Sequence, residues 1–259
     1  MKVAVLTHQS PAAEYFCRAI AERHDLIGVF VEKSTGSKVR KAFTQFRRNR
    51  KKYGLLTAVV RFFEIPFVVW LDATYARCQA RFFPLSTIKE MPPWPVHHIR
   101  DVNDDRTVET LRDLQPDVVC VFGAGILRAP IIGVPRLGTL NMHTSQLPAY
   151  RGVKSELWAL ANGDFDRIGV TVHVLDEGID TGPILAQRAV PVERGDDDRT
   201  LRCKNIVEGT TLVLETLDRL AEGRAVPVPQ DATQKSYYST PTLPAYLRMR
   251  RNIRKLKHR

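Results

Sequence analysis

In the stretch Leu140–Asn141–Met142–His143–Thr144, an amide and an imidazole stand two residues apart. In an extended segment that spacing turns both side chains to the same side. An amide donor beside an imidazole suits the oxygen of a carbonyl under attack. Asp180, in the run Glu177–Gly182, adds a carboxylate at the mouth of another strand. A carboxylate there can orient a histidine and hold its charge. Together the three could manage a tetrahedral intermediate at a carbonyl. No GxSxG motif occurs, which favours direct transfer over a covalent enzyme intermediate. Plainer roles stay open. Asn–x–His also suits a structural hydrogen-bonded pair, Gly178 and Gly182 suit a simple turn, and spacing alone does not bring Asp180 to His143. A metal site of His143, His173 and Asp180 is a further reading, disfavoured by the lack of a compact ligand cluster.

These residues need elements to position them. Lys2–Thr7 reads as a buried strand, Ala12–Arg23 as a helix with Phe16, Ala19 and Ile20 on one face, and Leu26–Val31 as a second strand. That order predicts a parallel sheet covered by helices. Residues 32–90 are basic and aromatic and read as a mainly helical insertion. Met91–Pro95 is a rigid turn, Val96–Ile99 a short strand, and a helix begins at Asp104 or Asp105 and stops before Pro116. Val118–Phe122 is nearly all apolar, as in a sheet buried on both faces. Gly123 and Gly125 end it, at the strand end where open α/β sheets bind ligands. Thr139 starts a strand that becomes a proline-braced loop, Ser155–Ala161 is a helix closed by Asn162 and Gly163, and Ile168–Gly178 is an alternating strand. Another strand follows in residues 179–192, then a helix from Thr200 to Glu222, then a Pro-containing basic extension over residues 223–259. The expected fold is α/β and Rossmann-like, a mainly parallel sheet flanked by helices, with residues 1–222 as the catalytic unit.

Lys and Arg number 39 against 28 Asp and Glu, a formal charge of +11. Such an excess attracts anions: nucleic acid, phosphorylated metabolites or acidic lipid. It is concentrated in residues 33–52, including Arg47, Arg48, Arg50, Lys51 and Lys52, and in residues 248–259. The four cysteines make no CxxC pair, so neither a zinc site nor a redox pair is indicated. Tyr53–Leu71 approaches the length of a membrane span, but Arg61, Glu64 and Pro66 interrupt it. Surface helices are expected there, with Leu55, Val59, Phe62 and Phe63 packed inward. There is no secretory signal pattern, and a cytoplasmic enzyme is expected, with room for peripheral association at the inner face of the membrane.

Leu140–Gly152, Thr171–Val172–His173 and Asp176–Val192 together resemble the folate-dependent formyltransferase family. The resemblance is clear over residues 117–192. It implies N10-formyltetrahydrofolate as formyl donor, a primary amine as acceptor, and no metal. Residue by residue, it gives Asn141, His143 and Asp180 as catalytic. Asn141 would donate to the developing oxyanion, protonated His143 would assist, and Asp180 would support His143 and proton movement. Ser145 matches a serine beside the site. His173 matches a strand histidine at the buried end of the pocket. Phe122, Gly123, Ala124, Gly125, Ile126 and Leu127 match the backbone loop that holds the pterin ring. Asp176, Glu177, Gly178, Ile179 and Asp180 match the other folate-contacting loop. Gln146 departs from the family's usual leucine, a difference in loop packing.

Three acceptors are compatible with the resemblance. The stretch Thr7–Phe16 has no glycine, unlike the phosphate loop of the glycinamide ribonucleotide enzymes, although Ser10 can cap a helix. Only 39 residues follow Leu220, little for the C-terminal β-barrel of the methionyl-tRNA enzymes. The expectation is the amine of a nucleotide-linked amino sugar, with Trp94, Tyr150 and Trp158 as candidates either to stack on it or to fill the core. A homodimer is allowed. Contact with acidic lipid or RNA, including a non-catalytic binding module, is allowed but not favoured.

Overall fold

The computed structural model describes residues 1–32, 62, 64–83, 93–231, 233, 234 and 236–257. The cationic cluster of residues 47–52, and Leu55, Val59 and Phe63, lie outside the described residues.

Seven strands form one sheet in the order β3-β2-β1-β4-β5-β7-β8. They are β1 (Lys2–His8), β2 (Asp25–Glu32), β3 (Val96–Ile99), β4 (Val118–Phe122), β5 (Thr139–His143), β7 (Gly169–Val174) and β8 (Ile184–Ala189). β3, β2, β1, β4 and β5 run parallel; β7 is antiparallel to β5, and β8 to β7. A second small sheet pairs β6 (Arg151–Gly152) with β9 (Tyr237–Tyr238). The expected mainly parallel α/β sheet is therefore present, with an antiparallel margin on the side of the site.

The period of two explains the layers. Val3 and Val5 of β1 join Phe16, Ile20, Met142, Val172 and Leu217 on one face, while Ala4 and Leu6 join Phe30, Leu111, Val121 and Ile131 on the other. The first face is covered by α1 (Pro11–Ala21) and α6 (Asp198–Ala221), the second by α3 (Asp105–Leu114) and the short α4 (Ala129–Ile132). Gly209 lets α6 lie close on β5, since a Cβ there would come within 2.6 Å of Met142 Sδ. Side-chain caps start the helices. Ser10 accepts from the Ala13 N–H with Pro11 in the first turn, Asp104 accepts from Arg106, and Asp197 and Thr200 form a reciprocal capping box on α6. Each cap contributes about 1 kcal/mol.

A third apolar cluster joins α2 (Ile65–Phe82), α5 (Ser155–Asn162), α6 and α7 (Leu243–Lys257) through Leu71, Tyr75, Leu157, Leu160, Leu201, Ala245, Met249 and Ile253. Pro66 does not interrupt α2; it occupies the first turn, where no backbone donor is needed. Phe62 does not pack inward but is exposed. The basic end of the chain is not frayed over residues 243–257. It forms α7, because Ala245, Met249 and Ile253 recur every four residues and seat one face on the rest of the cluster. Among the described residues no helix is long and apolar enough to cross a membrane.

β7 is shorter than the alternation suggested. It ends at Val174; the Leu175 N–H still donates to the Thr139 carbonyl of β5, and Asp176–Gly178 leave as a loop in which Asp176 accepts from the Gly178 N–H and the Thr181 hydroxyl. Its two faces are both buried, because α6 covers one and the site loop the other.

Candidate active site

The register of β5 against β7 builds the site. Asn141 pairs directly with His173, and His143 with Thr171. β5 delivers Asn141 and His143 from the carboxyl end of the parallel sheet, on one side as period-two geometry requires. The β7–β8 loop then brings Asp180 back, with Asp180 in the left-handed region at φ 53°.

Hydrogen bonds fix what each group can do. His173 is fully buried. Its Nδ1 lies 3.2 Å from the Val174 carbonyl, which can only accept, so Nδ1 carries the hydrogen. Nε2 then carries a lone pair and faces Asn141 Nδ2 at 3.1 Å. The amide nitrogen of Asn141 must therefore donate toward His173, and its second N–H is left for another acceptor. Burial, reinforced by the nearby His143 and opposed by Asp180, pushes the His173 pKa down to about 4. This histidine is neutral at physiological pH, as the arrangement needs.

His143 is buried, and its Nε2 donates to the Tyr150 carbonyl at 2.8 Å. A second proton on the ring would sit on Nδ1, which faces Asp180 Oδ1 at 3.6 Å. That separation exceeds a hydrogen bond, so the two interact as charges when the ring is protonated. Asp180 Oδ1 also lies 3.8 Å from His173 Nε2. Asp180 Oδ2 accepts from the Gly152 N–H at 2.8 Å. The two histidine rings stand edge to face, 6.4 Å apart.

Several supporting groups had no signal in the sequence. The Tyr150 carbonyl also receives the hydroxyls of Ser145 and Ser155. Gln230 donates to the Asp180 and Gly182 carbonyls at 3.0 and 2.7 Å and accepts from Arg151. Asn205 of α6 donates to the Thr144 carbonyl. Gln230 lies in a Pro-containing stretch without periodicity, and a backbone carbonyl has no residue type, so neither is visible before folding.

The loop after β4 and the loop after β7 flank β5. Phe122 and Leu127 are buried in the core, so their side chains do not line the mouth. Ile126 and Ile179, one on each loop, are 68% and 43% exposed. His8 Nδ1 donates to the Gly123 carbonyl, and Glu32 accepts from the Gly125 N–H. Two exposed apolar side chains beside fixed backbone polar groups suit a flat ring with a polar edge. Gly178 sits within the Asp176 turn, and Glu177 is exposed.

Tyr150 and Trp94 are not free to stack on a ligand, since both are buried. Tyr150 stacks on Tyr238 and its hydroxyl bonds Asp164, while Trp94 lies under Arg18. Trp158 is half-buried against Tyr238 with its N–H on the Ser239 carbonyl. Tyr150 and Trp158 hold the fold beside the site, and Trp94 belongs to the core next to α1.

The chain is 38% identical over 144 residues to a methionyl-tRNA formyltransferase of Trichlorobacter lovleyi, covering 55% of this chain and 45% of that protein. The chain spans about half the length of the curated relatives it matches. Two solved structures share the fold. Glycinamide ribonucleotide transformylase 1 from Symbiobacterium toebii has a TM-score of 0.59 at 22% identity, over 89% of this chain and 94% of that one. An N-formyltransferase from Helicobacter canadensis, in complex with folinic acid and dTDP-3-aminofucose, has a TM-score of 0.57 at 17% identity, over 97% of this chain and 80% of that one. The family model for formyl transferase matches residues 72–217, which hold Asn141, His143, His173 and Asp180 and make up more than half of the sequence, and the chain belongs to that family.

Proposed function

We propose that this chain transfers a formyl group from N10-formyltetrahydrofolate to a primary amine, with Asn141, His143 and Asp180 around the reacting carbonyl. One observation carries the reading: an oriented amide N–H, an imidazole of fixed tautomer and a carboxylate converge at the carboxyl end of β5. The folate supplies a one-carbon carbonyl activated for transfer. The second N–H of Asn141 donates to the carbonyl oxygen as the amine attacks and negative charge develops there. His143, protonated at Nδ1, sets a positive charge beside it. Asp180 holds that charge; as the bond from the formyl carbon to the folate nitrogen breaks, His143 Nδ1 gives its proton to that leaving nitrogen, and the proton the amine loses restores Nδ1. Loss of one such donor costs about 3 to 4 kcal/mol in the barrier. The loops of residues 122–127 and 176–180 bind the folate, with Ile126 and Ile179 against its ring.

The acceptor in this reading is the amine of a nucleotide-linked amino sugar. Support comes from the C-terminal stretch. Gln230 braces the Asp180 loop, β9 pairs beside it, and α7 seats on α5, so residues 223–257 extend the catalytic unit. The likeness in plan to an N-formyltransferase bound to dTDP-3-aminofucose, over nearly the whole chain, agrees with this. The net positive charge favours a pyrophosphate. A methionyl-tRNA acceptor is the second reading, favoured by the names of the curated relatives.

The test is a panel of sugar nucleotides, glycinamide ribonucleotide and methionyl-tRNA, each incubated with N10-formyltetrahydrofolate. Formylation of a sugar nucleotide alone is expected. Turnover only with methionyl-tRNA would transfer the assignment to the second reading. No turnover together with no affinity for a folate analogue would remove formyl transfer itself.

A further inference from the structure

α2 and α7 meet along an aromatic seam and turn an apolar face outward beside it. Phe67 and Trp70 of α2 pack on Tyr246 of α7, with ring centroids 5.4 and 5.6 Å from it. The Leu243 N–H donates to Glu64, which fixes the starts of the two helices together. Next to this seam Val69, Trp70, Leu243 and Leu247 are exposed, Trp70 by 43% and Leu247 by 58%. In α7 the buried positions are Ala245, Met249 and Ile253. Helical geometry puts Leu243, Leu247, Arg251 and Arg254 on the opposite side. Arg248, Arg250, Arg251, Arg254 and Lys255 are all exposed, and the helix has no acidic residue.

We infer that this α2–α7 face docks on an acidic phospholipid surface, with Trp70, Val69, Leu243 and Leu247 entering the interface and the α7 cations meeting anionic headgroups. The pairing of an aromatic and aliphatic tip with a neighbouring row of cations is the complement of that surface. A second copy of the chain fits less well. A two-fold contact would set the α7 cations against their own counterparts. RNA also fits less well: Trp70 and the α7 cations could meet a base and phosphates, but the aliphatic Val69, Leu243 and Leu247 exposed beside them would gain nothing from it. The inference holds whichever amine is formylated.

The experiment is co-sedimentation of the full chain with vesicles of phosphatidylcholine alone and of phosphatidylcholine with phosphatidylglycerol. Two variants accompany the wild type: Trp70→Ser with Leu247→Ser, and Arg250→Gln with Arg251→Gln and Arg254→Gln. All five positions are exposed, and circular dichroism checks that the variants fold. Pelleting is expected with the acidic vesicles only, weakening as salt is raised, and at least ten-fold weaker in each variant. Trp70 emission is expected to shift to the blue and to be quenched by brominated lipid, with the Trp70→Phe spectrum subtracted for Trp94 and Trp158. The cations of residues 47–52 remain in both variants, so a loss belongs to this face. Wild-type pelleting by the variants, equal pelleting with both vesicle types, or none at all would overturn the inference. So would dimerisation, or RNA binding without vesicle binding, that disappears in the same variants.

Discussion

Asn141 and His173 face each other directly across the antiparallel β5–β7 ladder, with Asn141 Nδ2 3.1 Å from His173 Nε2. The contact works only while His173 is neutral, because a protonated Nε2 would present a donor to a donor. His173→Phe is therefore expected to lower kcat by roughly 10- to 100-fold, a loss of the size seen when a group that orients another is removed, with a smaller change in folate affinity. Initial rates and calorimetric titration separate the two. A kcat loss rescued by His173→Gln, whose amide oxygen can still accept from Asn141, would identify positioning rather than packing.

The same histidine makes stability depend on pH. Folded His173 stays neutral down to about pH 4, while the unfolded side chain binds a proton near its ordinary 6.5. Between these values the unfolded state holds more protons, so stability falls as pH falls through that window and is fully present above it. The shift corresponds to roughly 3 kcal/mol. Urea unfolding midpoints from pH 7 to pH 4 are expected to decline steeply in the wild type and less in His173→Gln. A residual slope belongs to His8 and His24, whose pKa values burial also lowers, and is opposed by Asp198, whose pKa burial raises to about 6.

Asn141→Ala and His143→Ala are each expected to fold and to lose about 100- to 1000-fold in turnover. The fold tolerates loss of His143 because the Tyr150 carbonyl keeps the hydroxyls of Ser145 and Ser155. Circular dichroism and initial rates check this. A near-normal rate in either folded variant would remove that residue from the mechanism.

For Asp180→Asn the expectation is a large fall in kcat with little change in affinity for a folate analogue. The amide oxygen can still accept the Gly152 N–H that Asp180 Oδ2 now takes, while the charge proposed to support His143 in the transition state is gone. Equal losses of rate and affinity would instead mark Asp180 as a residue of loop shape.

Gly123 has φ 72°, and a Cβ there would stand 2.6 Å from the His8 imidazole. Gly123→Ala is expected to destabilise the chain by about 1 to 2 kcal/mol from the left-handed backbone alone, and more from the clash. Adding His8→Ala removes the clash and recovers that further part only. Thermal unfolding of the two single variants and the double variant reads the difference.

Periodicity and end signals in the sequence determined most of the elements. β1, β4 and β5 follow from apolar runs bounded by glycine or turn residues, and α1, α3 and α6 from caps and a 3.6-residue pattern, since both depend on neighbours a few residues away. The pairing of Asn141 with His143 on one side of β5 was legible for the same reason. The end of β7 at Val174 was not, because Leu175 prolongs the apolar stretch and the break is made by the Asp176 turn, a fold-back that residue type alone does not place ahead of Gly178. The meeting of Asp180 with His143 was decided by the antiparallel register of β5 and β7 and by the return of the β7–β8 loop, which no spacing encodes. The neutrality of His173 follows from its burial on the face of β7 turned away from α6, and the bracing of Asp180 from Gln230, 50 residues away. Residue type sets which chemistry is available. Distances between charges, and the water excluded from around them, are properties of segments far apart in the chain, and only their packing together decides them.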